Sequence, residues 1–476
     1  MSLSYDVKVW DIVRRTDRGR SYRVRWSVGG RRFERGFSTK LLADAFRSDL
    51  MKSARAGEGF ERSNGLAQSM ARAGNSLTWY EHAKAYAQMK WPSAAAKTRR
   101  STADALTTVT AALIAGRTGG PPTADVRHAL YGWAFNPSRS ASPMPESVTD
   151  VLRWVESVSV PVVELAKPSV IREALDACAK RLDGRPAAAT TVRRKRAVLY
   201  NALGYAVERE ILDFNPIDKV QWRAPATAST VDRRVVANTA QVEAVLTTAQ
   251  TLGGSGPRLV AFFGCLYYAG MRPSEASSLR RSDCWLPRSG WGRLVLTESA
   301  PRAGAAWTDD GQVRENRGLK RRGEGETRPV PIPPELVQLL NQHIREYKIG
   351  PSDRLFVGAR GGDLSDSVYD RTWKRARALA FPEDLVRSPL ARRPYDLRHA
   401  AVSLWLNGGV PATEVARRVG HSVAVLLSVY ANCIDGQEEL VNDRIAAALK
   451  QGRSGGSSWG GHHGNESVPD DGAGEA

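Results

Sequence analysis

The sequence predicts a multidomain α+β protein: an N-terminal three-stranded sheet plus helix, an all-helical second domain, and a mainly helical third domain with a small antiparallel sheet. Three observations predict it. At 476 residues the chain is too long for one ordinary domain. Apolar residues alternate with a period of two between residues 5 and 37, as in strands with one buried face. Beyond residue 77 the apolar spacing becomes helical, broken only by two strand-like runs, WGRLVLTESA and TRPVPIP.

In chain order, YDVKVWDIVRR, SYRVRWSVGG and RRFERGFS read as three strands, because TDRGR and GG are hairpin turn signals. KLLADAFRSDLMKSARAG follows as a helix backing them. Alternation puts Tyr22, Val24 and Trp26 on one face and Arg23 and Arg25 on the other, with Arg20, Arg31, Arg32 and Arg35 nearby. A β-ribbon carrying arginines on one face fits a DNA groove, so Arg23, Arg25, Arg31 and Arg32 are candidate DNA contacts, against the plainer alternative of a solvated polar face. Residues 1–62 form this first domain, and 61–76, without strong pattern, read as a linker. Residues 77–225 form the helical second domain, with Gly, Pro and Ser loops around a short helix at 116–147. Its basic helix, AATTVRRKRAVLYNALGYAVERE, offers Arg193, Arg194, Lys195 and Arg196 as further DNA contacts. APATASTVDRR reads as an exposed connector. Residues 235–450 form the third domain, and the low-complexity tail 451–476 reads as disordered.

Charge bounds the function. Lys and Arg number 69 against 50 Asp and Glu, a surplus of +19 that favours a polyanionic partner, because each neutralised phosphate releases condensed counterions. The sequence carries neither a signal pattern nor an apolar run of membrane-spanning length, which predicts a cytoplasmic protein. Cys178, Cys265, Cys284 and Cys433 lie far apart with no CxxC pair, and read as small buried residues. His462 and His463 stand in the tail and make a poor metal site.

Four islands in the third domain carry the chemistry. YYAGMRPSEASSLRRSDC displays Arg272 at a helix start, a position hospitable to an anion, with Glu275 three residues on. RGLKRRGEGETRPVPIP reads as a hairpin with Lys320 leaving one strand. RPYDLRHAAVSLWL places Arg398 and His399 at a helix start, and VGHSVAVLLSVYANC holds His421 and Tyr430. Singly, each is bland: a surface arginine, a solvated hairpin, a packed tyrosine. Their order is what carries information.

In that order the islands resemble the tyrosine recombinases, or phage-type integrases. AGMRPSEASSLRRSDC matches the family form TGLRxSELLxLRWxDI, YDLRHAAVS matches HDLRHTxAT, and VGHSVAVLLSVYAN matches LGHxxxxxTxxYxH. Residues 235–449 resemble the family closely, 77–225 its core-binding domain loosely, and the first 60 its arm-type DNA-binding domain in outline. The resemblance implies catalytic roles for Arg272, Lys320, Arg398, His421 and Tyr430, with Glu275 and His399 supporting them. Tyr395 departs from the pattern, standing where the family usually places His; a tyrosine donates a hydrogen bond to a phosphate oxygen but is a poor proton shuttle near neutrality.

Chemistry agrees with that assignment. Tyrosine attacks phosphorus to form a covalent intermediate, two arginines stabilise charge on the non-bridging oxygens, and a lysine protonates the leaving 5′-oxygen. A histidine beside the phosphate takes the tyrosine proton or bonds the oxygens. With no acidic triad at metal spacing and no phosphate loop ending in Gly-Lys-Ser/Thr, no cofactor, neither metal nor ATP, is expected. The resemblance implies strand exchange through a 3′-phosphotyrosyl link and a four-way Holliday junction, by a homotetramer on double-stranded DNA. It further implies a bacterial or phage-encoded, nucleoid-associated protein that integrates or excises a mobile element. A directionality factor or host DNA-bending protein is a further partner it leaves open. A type IB topoisomerase shares the chemistry, and a catalytically inactive DNA-binding regulator with the same fold is the alternative from another class.

Overall fold

The computed structural model describes residues 3–14, 22–37, 39–70, 77–114, 118–140, 142–227, 230–319, 323, 325–434 and 437–454. Arg20, Lys320 and the tail beyond 454 lie outside the described residues, as do 71–76 of the expected linker. The chain forms two compact units, residues 1–227 with 303–313, and residues 228–302 with 314–476.

The first unit opens with strands β1 (Leu3–Ser4), β2 (Val7–Val9), β3 (Val13–Arg14), β4 (Tyr22–Val28) and β5 (Arg31–Phe37). The first expected strand is broken: β2 and β3 pair with opposite halves of β4, and β5 lines its other edge. Val24, Trp26 and Val28 are buried beneath helix α1 (Lys40–Arg55), whose Thr39 side chain caps Leu42 N at 3.3 Å. Register corrects the one-face reading of the arginines. Arg31 pairs with Val28 and Arg35 with Val24, so both share the core face and cover Phe33, Phe37 and Phe46 at its rim. Arg23, Arg25 and Arg32 keep the outer face, where Arg23 is already paired with Glu34 at 3.0 Å. The start of the linker is also ordered. Strand β6 (Phe60–Glu61) pairs with β1, and Gly65 O accepts the Trp26 indole N–H, because a buried indole needs an acceptor. Ala67 is consequently buried in the same core.

The helical body contains α2 (Trp79–Lys90), α3 (Ala96–Leu113), α4 (Thr123–Ala129), α5 (Glu146–Val158), α6 (Pro168–Cys178) and α7 (Ala189–Glu208). A capping box between Thr78 and Glu81 starts α2. On α7 the inner face is Val192, Lys195, Leu199, Ala202 and Ala206, at helical spacing. Lys195 is therefore turned inward, with Nζ 2.8 Å from Thr108 Oγ1 and 3.6 Å from Asp104, while Arg193 and Arg194 are exposed and Arg196 half-buried beside Tyr200. That corrects the reading of all four as outward contacts.

Residues 303–313 complete this body although the strands flanking them belong to the second unit. Trp307 sits 5.1 Å from Tyr131 and 6.0 Å from Trp91, ring to ring. Arg99 holds the segment with a bidentate pair to Asp309 at 2.6 and 2.9 Å and a bond to Trp307 O at 3.1 Å. Asn136 and Ser138 both donate to Ala306 O.

The second unit contains α8 (Thr239–Thr251), α9 (Gly256–Tyr268), α10 (Pro273–Ser278), β7 (Cys284–Trp285), β8 (Gly292–Leu296), β9 (Glu298–Ser299), β10 (Arg317–Gly318), β11 (Arg328–Ile332), α11 (Pro334–Glu346), α12 (Asp366–Ala380), α13 (Glu383–Arg387), α14 (Asp396–Asn407), α15 (Ala412–Val419), α16 (Val423–Tyr430) and α17 (Gln437–Ser454). Helix α9, apolar on nearly every side, forms its core and packs against α8, α11 and α14. The small antiparallel sheet runs β11-β8-β7, and β9 pairs separately with β10. The expected connector joins a second, smaller core with α14, α15 and α16: Val231 is buried and its N–H donates to Val429 O at 2.7 Å. All four cysteines are buried, none of them in a disulfide. Among the described residues no helix is long and apolar enough to cross a membrane.

Trp307→Ala removes a buried indole and leaves a cavity, so it should lower the stability of the first unit by about 3–5 kcal/mol. Urea unfolding followed by far-UV circular dichroism checks this; a change under about 1 kcal/mol would show the segment to be a passive loop.

Candidate active site

The site is built around a buried carboxylate. Gly270 turns the chain after α9, and Arg272 caps the short helix α10, with its N–H 2.9 Å and its Nη1 2.7 Å from the two oxygens of Glu275. Glu275 is 2% exposed and accepts a second guanidinium, Arg328 Nη2, at 2.7 Å. Arg328 opens β11, whose alternation turns it inward with Val330 and Ile332. That side chain was not among the expected site residues.

Arg398 lies on α14 with no exposed surface. It donates to Gly270 O, to Val419 O at 2.6 Å, and shares a bond with His421 Nε2 at 3.1 Å. Helix α15 ends on Gly420 in the left-handed region, φ 65°, where a side chain is strained. A β-carbon there would also overlap Arg328 Nη1. Gly420 O faces Arg272 Nη2 at 3.4 Å. The next helix, α16, begins with the Ser422 hydroxyl capping Val425 N at 3.3 Å, and ends on Tyr430. Tyr430 is fully buried, its hydroxyl 3.0 Å from His399 Nδ1. Tyr395 packs edge-on to His399, ring centroids 5.2 Å apart, and its hydroxyl bonds Arg272.

The structure thus gathers Arg272, Glu275, Tyr395, Arg398, His399, His421 and Tyr430 in one unit, drawn from three separate stretches of chain. Lys320 lies outside the described residues, although β10 and β11 bracket its position.

Electrostatics follow from that geometry. Burial pushes the Glu275 carboxyl up, but Arg328, Arg272 and Arg398 outweigh it and leave the group at about 2. Burial, then the charges of Arg398 and Arg272, push His421 down to about 3. His399 falls to about 4 through burial and the charges of Arg398 and Arg393. Burial raises the Tyr430 phenol well above its ordinary value, opposed by Arg398. Three guanidiniums therefore surround one carboxylate, and Arg398 Nε, Arg328 Nε and His421 Nδ1 are buried with no hydrogen-bond partner among the described residues. Such a cluster is suited to an oxyanion with several acceptor oxygens.

Comparison with known proteins agrees in kind. Residues 236–435 match the phage integrase family. The chain is 26% identical to tyrosine recombinase XerC of Bradyrhizobium diazoefficiens over 186 residues, 38% of this chain and 48% of that protein. It is 28% identical to the putative prophage phiRv2 integrase of Mycobacterium tuberculosis over 195 residues, 40% of this chain and 45% of that protein. The chain spans about half the length of these curated relatives. Among solved structures it is similar to the Tn1549 transposon integrase in complex with a circular intermediate DNA, with a TM-score of 0.46 at 16% identity over 65% of this chain and 96% of that one. A lambda integrase tetramer bound to a Holliday junction gives 0.42 at 12% identity, covering 85% of this chain and 91% of that one.

Glu275→Gln leaves the buried guanidiniums of Arg328 and Arg398, and the half-buried one of Arg272, with no counter-charge at this point and should cost about 3–5 kcal/mol of stability in urea unfolding. pH gives a second check. Because both histidines are held below 6.5, the unfolded chain takes up protons that the folded chain refuses. Their contribution is complete above pH 6.5 and is lost as pH falls toward 4 for His399 and 3 for His421, whereas that of Glu275 is complete above 4.5 and lost as pH falls through 2. Stability should therefore fall between about pH 7 and about pH 5, and His421→Gln should flatten that fall.

Proposed function

Because residues 236–435 form a phage integrase family domain, we propose that this chain is a site-specific DNA recombinase that cuts and rejoins DNA through a 3′-phosphotyrosyl intermediate. The observation that carries it is the grouping of a tyrosine hydroxyl with an excess of buried guanidiniums: a nucleophile beside a site for an oxyanion. Tyr430 attacks the scissile phosphorus and the 5′-oxygen leaves. Arg272 and Arg398 bond the non-bridging oxygens as charge builds on them, and His421, tied to Arg398, adds a further donor. Tyr395, at the Arg272 guanidinium, contributes a hydroxyl to the same oxygens in place of an imidazole. Lys320 protonates the leaving oxygen. The phosphotyrosyl bond retains the energy of the broken bond, so rejoining runs the same steps backwards.

Binding to double-stranded DNA is supported by the surplus of +19. Arg25 and Arg32 on the outer face of the N-terminal sheet, and Arg193 and Arg194 on α7, are available for phosphate contacts. Assembly as a homotetramer on two sites, with strand exchange through a Holliday junction, completes the reading. It is suited to integration and excision of a mobile element.

A duplex carrying the element's own junction sequence, nicked just 3′ of the scissile phosphate, tests this, because the short 5′-hydroxyl product diffuses away and traps the adduct. The unaltered chain should give a covalent protein–DNA species stable to boiling in detergent, and Tyr430→Phe none. No adduct from the unaltered chain would leave the inactive DNA-binding regulator as the better account.

A further inference from the structure

The geometry points to His399 as the base that accepts the Tyr430 proton during attack, an inference that rests on the recombinase reading above. Two histidines stand near the nucleophile, and they are differently engaged. His421 Nε2 is bonded to Arg398 Nη2 at 3.1 Å, so it belongs to the guanidinium cluster. His399 Nδ1 lies 3.0 Å from the Tyr430 hydroxyl, in hydrogen-bond reach of the atom that attacks. The residue at 395 is a poor substitute: a neutral phenol oxygen is a weak proton acceptor, and this one interacts with the Arg272 guanidinium.

His399 is equipped for this. It follows Arg398 on α14, a rigid helix, and its ring is held edge-on against Tyr395 one turn earlier. The groups facing it are Arg398, Arg393, Tyr395 and Tyr430, none of them a carboxylate. It is accordingly neutral near pH 7, and its tautomer with the proton on Nε2 leaves Nδ1 free to accept. A phosphate seated on Arg398 offsets the cation that depresses the imidazole, so the base strengthens when substrate is in place.

The Tyr430 O–H proton passes to His399 Nδ1 while the tyrosine oxygen bonds phosphorus, the P–O5′ bond breaks, and the 5′-oxygen takes a proton from Lys320. On rejoining, the 5′-hydroxyl returns its proton to Lys320 and attacks, and the departing tyrosine oxygen recovers its proton from His399.

The test is single-turnover cleavage by the full chain on the nicked duplex, with either an oxygen or a bridging sulfur at the 5′ leaving position. A thiolate leaves without an acid, so sulfur restores an acid defect and not a base defect. His399→Gln keeps a hydrogen bond to the tyrosine but accepts no proton. It should cleave about 100-fold slower or worse on both substrates, with DNA affinity unchanged in a gel-shift assay. Lys320→Ala should be slow on oxygen and recover on sulfur. Fluorinated tyrosine at 430, which ionises more readily, should recover His399→Gln. Cleavage by His399→Gln within about threefold of the unaltered chain, or its recovery on sulfur, overturns the assignment while leaving the recombinase reading intact. Absence of any adduct from the unaltered chain overturns both.

Discussion

Glu275 is a carboxylate buried to 2% exposure, and an isolated charge so placed would neutralise rather than stay ionised. Two guanidiniums keep it charged, and in doing so it fixes both of them. Through Arg272 it sets the chain turn after α9, because the same carboxylate also accepts the Arg272 N–H. Through Arg328 it ties the start of β11 to the site and leaves Gly420 only the space of a glycine. Arg398, bonded to Gly270 and Val419 carbonyls instead of a carboxylate, leaves the cluster with more positive than negative charge. The fold thus maintains a standing positive surplus at one point, suited to an anion with several acceptor oxygens.

Much of this was legible in the sequence, because the reacting groups sit in short runs with strong local constraints. Arg272 and Glu275 form a cap-like pair three residues apart, Arg398 and His399 open one helix, and His421 and Tyr430 bracket another. Arg328 was missed although its signal was present: it alternates with Val330 and Ile332 in an apolar strand, and a buried arginine demands a carboxylate. Lys195 was misjudged for the converse reason. In a run of four basic residues, composition suggested one outward face, whereas helical spacing places it with Val192 and Leu199. The role of residues 61–70 and of Val231 was hidden because each depends on a distant partner, Trp26 in one case and Val429 in the other. The contact between His399 and Tyr430 spans 31 residues and rests on how α14 meets α16, which no local pattern encodes.

Helix α14 concentrates three chemically different groups within a little over one turn. Tyr395 and His399 lie four residues apart and share a face, while Arg398 points elsewhere, into the core. On the proposed reading, a phenol at 395 supplies a hydroxyl donor where an imidazole would offer an N–H, and proton acceptance falls to His399 on the same face. Burial of Tyr430 has a second consequence under the proposed reaction: water excluded from the phenol is excluded from a phosphotyrosyl bond formed there, which would protect that bond from hydrolysis.

The segment 303–313 changes how the chain can be divided. It lies in sequence between β9 and β10 of the second unit, yet contributes Trp307 and Asp309 to the helical body of the first, so the polypeptide passes between the units three times. A fragment starting at residue 228 would carry Trp307 with neither Trp91 nor Tyr131 to cover it, and one ending at 227 would lack the indole that fills its own core. The boundary that the family match suggests, near residue 236, is therefore a boundary of ancestry and not of independent folding.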